Sequence, residues 1–222
     1  EVPDEHKKLG TLYYTTAVMG KQIGFTSKAH NATFEGSSAG VLGYAVAGPA
    51  ESPADLKAGV WVLPVKSLET GNKIKNKNLC KPEWLDAEKN PDIIFTLKKV
   101  TDIAPQKAGA SGKLFKATLV GDMTIRGVTK ELSVPDASIG FVQGTEKTAK
   151  TIKGDLLAIR CKYKVKLSDF GVTNDYVVKE QSVADEIEIE QSLSLATVPP
   201  EEQPAPAETP KAEEPKKDEP KK

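Results

Sequence analysis

IRCKYKVKL, residues 159–167, alternates without a slip: Ile159, Cys161, Tyr163, Val165 and Leu167 fall on one side of an extended chain, and Arg160, Lys162, Lys164 and Lys166 on the other. One face is built for burial and the other for water. DEIEIEQSLSL, residues 185–195, repeats the design with Ile187, Ile189, Leu193 and Leu195 against Glu186, Glu188 and Glu190. Strands that are apolar on one face only belong to antiparallel sheets, because parallel α/β strands are covered on both faces. The intervening DFGVTNDYVVKEQSV is long enough to let the two strands pair as neighbours, which sets a lysine ladder against a glutamate ladder outside the sheet.

The same period of two recurs at 22–29, 38–46, 60–65, 93–100, 114–125 and 131–134, and amphipathic helical periodicity is almost absent. The count, about eight strands, predicts an all-β, eight-stranded antiparallel barrel whose interior is filled by side chains or holds one small ligand. LCKPEWLDAEK, residues 79–89, is the one short helix expected, with Pro82 near its start and Asn90-Pro91 stopping it across a barrel end. Arg126-Gly127 reads as a hairpin turn.

The organisation expected is a flexible N-terminus over 1–10, a barrel domain over 11–197 and a disordered tail over 198–222. The tail holds seven of the 15 prolines, mixed Glu and Lys and no aromatic residue, so it buries too little apolar surface to offset its ordering entropy. The whole chain has 31 basic and 31 acidic residues and is neutral, so no global charge argues for nucleic acid. There is no apolar run of about eighteen residues to span a membrane as a helix. The start at Glu1 without Met fits either an export signal already removed or a chain trimmed at its start.

Three stretches carry a family likeness: residues 67–100 (SLETGNKIKNKNLCKPEWLDAEKNPDIIFTLKKV), 119–134 (LVGDMTIRGVTKELSV), and 165–172 (VKLSDFGV) with 183–196 (VADEIEIEQSLSLA). Thr70-Gly71-Asn72, the run from Gly121-Asp122 to Lys130, and Asp169-Phe170-Gly171 stand in family order and spacing. The chain thereby resembles the YceI family, exported lipocalin-like proteins known as polyisoprenoid-binding, from about Thr11 to Ala196. The resemblance implies a lipocalin-like barrel, a periplasmic or secreted location, an isoprenoid or quinone-like lipid as ligand with no obligatory cofactor, and no catalysis. The family usually has an arginine where this chain has Leu167, and an Arg-Asp pair where it has Lys75 and Asn76.

Alternation points Phe25, Trp61, Leu63, Phe95, Met123, Ile125, Tyr163, Val165, Ile187 and Ile189 inward. Any one of them fits core packing; the set, with the family's precedent for a cavity, is the expected wall of a lipid sleeve. Each buried CH₂ contributes about 0.8 kcal/mol, so a polar group is needed only to orient the head. Lys73, Lys75 and Lys77 crowd one loop and read plainly as a solvated surface, or more sharply as cations that meet a lipid head group at the mouth. His30 is a strand-end residue or a second head-group contact. His6 and His30 are the only histidines, too few for a metal triad, and no nucleophile elbow accompanies Ser168-Asp169. Haem held by His30 or Cys161 lacks an attachment motif.

The partners expected are an apolar lipid and no nucleic acid, with a transient membrane contact and a homodimer left open, as is a Cys80–Cys161 bridge. The competing reading is a structural or interaction platform of the cell envelope, with a filled barrel and a partner-binding tail.

Overall fold

The computed structural model describes residues 1–17, 20–30, 32–109, 112–180 and 182–203. Ten strands follow one another: β1 (Thr11–Thr16), β2 (Ile23–Lys28), β3 (Thr33–Ser38), β4 (Leu42–Ala47), β5 (Leu56–Pro64), β6 (Asp92–Gln106), β7 (Gly112–Ile125), β8 (Val128–Val142), β9 (Leu156–Lys166) and β10 (Glu186–Ala196). Among the described residues three short α-helices accompany them: α1 (Asp4–Lys7), α2 (Lys73–Leu79) and α3 (Asp175–Val178). All neighbours are antiparallel, in the order β1-β4-β5-β6-β7-β8-β9-β10, and β10 closes the ring onto β1. β2 continues the line of β1 along β10, and β3 lies beside β2. Two pairs of short strands therefore act as two long ones, and the eight-stranded barrel read from the sequence is what the chain forms.

The two breaks are joined by one side chain. Gln22 is 2% exposed; its Oε1 accepts from the Val41 N–H at 2.7 Å and its Nε2 donates to the Val41 carbonyl at 3.2 Å. A buried amide bonded in both senses satisfies backbone groups that the interrupted ladder leaves free.

The charged ladder forms as expected. Glu186, Glu188 and Glu190 stand opposite Lys166, Lys164 and Lys162. Lys164 reaches Glu186 at 2.7 Å and Lys162 reaches Glu190 at 3.0 Å, while Glu188 takes Lys28 of β2 at 2.7 Å. All are exposed, so they hold register more than they add stability.

Elsewhere the elements differ from the sequence reading. The strand expected over 38–46 is in fact β4 from Leu42 on, and Ser38 ends a separate strand, β3, that the sequence reading lacks. β1 was not anticipated: Tyr13, Thr15 and Thr16 are all buried, so TLYYTT shows no clean alternation. β8 runs far beyond 131–134, because a bulge at Pro135 and Asp136, the latter at φ 59°, breaks the periodicity without ending the strand. The helix lies earlier than 79–89. Asn72 caps it, its Oδ1 accepting from the N–H groups of Ile74 and Lys75 at 2.9 and 3.1 Å, and residues 80–89 proceed mostly in turns past Pro82. Arg126 and Gly127 do make the β7–β8 turn, with φ of 51° and 75°.

At the N-terminus, over the segment expected to be flexible, α1 forms and His6 Nδ1 meets Tyr44 Oη at 2.6 Å. The expected tail begins on the barrel: Gln203 Oε1 accepts from the Lys153 N–H at 2.8 Å and its Nε2 donates to the Val198 carbonyl at 2.9 Å. The rest of the tail, 204–222, lies outside the described residues.

Candidate functional site

The two halves of the barrel are packed differently. Where β1 meets the C-terminal end of β10, Leu119, Ile139, Leu157, Ile159, Leu193 and Leu195 are each at most 2% exposed and fill the interior. At the opposite end two seams part. β4 and β5 pair only as far as Leu42 and Val62, and β3 beyond them is met by a single bridge, Ser37 to Glu69. β8 likewise pairs with β9 only from Ser138 onward, because the bulge at Pro135 and Asp136 turns its first half away.

Between the parted seams lies a cavity of about 110 Å³. Phe25, Leu63, Ile125, Val165, Ile187 and Ile189 line it, six of the ten residues that alternation pointed inward, and every other residue on its wall is apolar too. Leu167 is among them, so the position where the family usually has an arginine is here part of the apolar wall.

The roof is legible in the sequence only in part: Leu79, Trp84 and Leu85 belong to the stretch expected across a barrel end, whereas Leu68 and Val183 carry no such signal. Leu68, Leu79, Trp84 and Leu85 come from the segment between β5 and β6, and Val183 from the segment between β9 and β10. Four contacts tie these segments together. Arg126 donates from Nη1 to the Gly171 carbonyl at 2.8 Å and from Nη2 to the Pro82 carbonyl at 2.9 Å; Asn174 Nδ2 donates to the Glu83 carbonyl at 2.8 Å; and Trp84 stacks on Tyr176 at 6.1 Å. The turn of β7–β8 thus holds both flaps of the roof.

One inward position deeper, Trp61, Phe95 and Tyr163 surround a second void of about 10 Å³ with Leu119, Val134, Cys161 and Gln191. Trp61 stacks on Phe95 at 5.4 Å, and the Phe95 ring lies over Gly121, where a Cβ would collide with it. Met123 is buried in the core and touches neither space. Burial pushes the Cys161 thiol up to about 12 and raises the Tyr163 phenol as well, so both stay neutral. Cys80 and Cys161 are free thiols.

The expected head-group residues lie outside the wall. Lys75 sits with its ammonium 5.0 Å from the centre of the Phe34 ring, and Phe34 is on the cavity wall, so Lys75 marks the rim. Lys73 and Lys77 are exposed on α2, and His30 is exposed between β2 and β3.

The YceI-like domain matches residues 14–195 of the chain. A UPF0312 protein of Yersinia enterocolitica is 29% identical over 133 residues, 60% of each chain, and one of Serratia proteamaculans is 29% identical over 117 residues, 53% of each. The matched spans are thus less than two thirds of those relatives' lengths. Among solved structures, BcnA of Burkholderia cenocepacia superposes with a TM-score of 0.59 at 20% identity, covering 80% of this chain and 97% of that one. The YCEI protein of Campylobacter jejuni gives 0.53 at 22%, covering 73% and 84%. A domain from Saccharophagus degradans described as polyisoprenoid binding gives 0.59 at 11%, covering 83% and 97%. At these identities the structural likeness is one of fold. The family match, by contrast, runs from β1 to β10 and takes in both halves of the barrel, and the chain belongs to the YceI family.

Proposed function

We propose that this protein binds the tail of an apolar lipid of the isoprenoid class in the hollow half of its barrel, as a carrier or store and without chemistry of its own. The observation that carries the reading is the all-apolar wall of the interior cavity beneath a two-part roof. The polyisoprenoid-binding description of the Saccharophagus degradans domain, which shares the fold, supports it. An exported setting, periplasmic or secreted, suits a carrier of this kind and belongs to the same proposal.

The cavity is smaller than the roughly 300 Å³ at which ligand pockets begin. A long tail therefore enters by lifting the roof, exchanging contacts of Leu68, Leu79, Trp84, Leu85 and Val183 for contacts with lipid. Each CH₂ taken from water contributes about 0.8 kcal/mol towards that exchange. Lys75, at the rim, then stands where the exposed end of the tail emerges.

The solid half of the barrel favours the alternative, a filled platform. Mass spectrometry of organic extracts from natively purified protein separates the two. The carrier reading expects a stoichiometric prenyl lipid in the wild type and its loss in Ile125→Trp, which fills the cavity. Lipid-free protein that also refuses added prenyl alcohols would leave the platform standing.

A further inference from the structure

The cavity's walls are apolar, but the layer beneath them is not. Along four strands the next inward residue changes character or size: Leu63 gives way to Trp61 on β5, Ile93 to Phe95 on β6, Val165 to Tyr163 on β9, and Ile189 to Gln191 on β10. Three of these four deeper residues carry a hydrogen-bonding group. They converge on the small void beneath the cavity, with Cys161 beside them.

Trp61 is the decisive one. It is 4% exposed, and its indole Nε1–H finds no hydrogen-bond acceptor. An unpaired buried donor is costly, and native structures rarely keep one without a use. Its stacking on Phe95, which is itself seated on Gly121, holds the indole in place. Gln191, 8% exposed, brings an amide that both donates and accepts, and Tyr163 brings a neutral phenol. No residue around the void is charged. A pyrophosphate or carboxylate placed there would be a buried anion without a counter-ion. A hydroxyl or carbonyl oxygen would need only the donor that Trp61 already presents.

We propose that this floor is a recognition subsite for the inner end of the ligand, a neutral oxygen that accepts the Trp61 Nε1–H bond. The inference rests on the tail-binding reading above and adds to it a direction and a chemical class. The lipid enters with its neutral oxygen first, its tail fills the cavity, and its far end leaves past the roof. The void at about 10 Å³ has room for about one water, and the ligand's oxygen takes that place.

The test compares three probes with a common prenyl chain: geranylgeraniol, the hydrocarbon in which a methyl group replaces its CH₂OH, and geranylgeranyl pyrophosphate. Dissociation constants are measured for the full chain and for Trp61→Phe, which keeps the ring on Phe95 and removes the N–H, with Gln191→Leu as a second variant. The expected result is that the wild type prefers the alcohol over the hydrocarbon by about tenfold, the scale of one hydrogen bond, and over the pyrophosphate by at least as much. Trp61→Phe should abolish the preference for the alcohol over the hydrocarbon, read as the ratio of the two constants in the same variant, and Gln191→Leu should reduce that preference. Equal wild-type affinity for alcohol and hydrocarbon, or a preference that survives in Trp61→Phe, would overturn the subsite while leaving tail binding intact. If no probe binds, the tail-binding reading falls and the subsite with it.

Discussion

Cys161, Tyr163 and Val165 occupy successive inward positions of β9, and the period of two that exposed them in the sequence is also what places them at different depths of the barrel. The deepest has a measurable consequence. Burial raises the Cys161 thiol from 9.0 to about 12, so the fold favours the neutral form. A group whose pKa is raised on folding contributes stability that is complete below its unfolded value and is lost as pH climbs towards the folded one. Between pH 9 and 12, then, the native state should weaken as the unfolded chain releases this proton more readily. Tyr13, raised by burial from 10.0 to about 12, adds to the same decline. Urea unfolding at pH 8 and pH 10 should show the wild type losing about 1 kcal/mol more than Cys161→Ala over that interval. Identical losses would mean that the thiol is not held in an apolar setting. Sequence alone could say that these side chains point inward. It could not say that Trp61 would lack an acceptor, because that depends on strands distant in the chain meeting at one level.

Among the elements, those with an uninterrupted period of two were the ones the sequence displayed. β9 and β10 appear nearly as they are, since one face of each is charged and the other is core. β8 shows only a short alternating stretch in the sequence because Pro135 and Asp136 shift its phase, and that bulge is also where β8 parts from β9. The roof is legible only as the stretch 79–89 lying across a barrel end, and its detail is hidden for another reason. Leu68, Trp84, Leu85 and Val183 belong to irregular segments, which have no period to read, and their segments are tied together by Arg126, the Asn174–Glu83 hydrogen bond and the Trp84–Tyr176 stack. Arg126 is therefore the residue to change. Arg126→Lys keeps the charge but cannot span both carbonyls. It should cost about 1–2 kcal/mol of stability, the worth of one charged hydrogen bond. Amides of residues 80–87 and 168–172 should exchange hydrogen faster, with those of β7 unchanged. Unaltered exchange in both segments would show that apolar packing alone holds the roof.

The molecule as a whole is a barrel with one solid end and one hollow end, and the division follows from its register. Complete pairing around β1, β4, β8, β9 and β10 at one end lets Ile139, Leu157 and Leu195 close the interior, whereas two parted seams at the other leave it to the roof. A lipid held as proposed reaches Trp61 and goes no further. The direct measurement is a set of intermolecular nuclear Overhauser effects between geranylgeraniol and methyl-labelled protein. Lipid bound in this way gives contacts from its prenyl chain to Leu63, Ile125, Val165 and Ile187, and none to Ile139, Leu157 or Leu195. Contacts confined to the outer face around Leu42, Val60 and Val62, or none to the cavity methyls in a saturated sample, would contradict this placement.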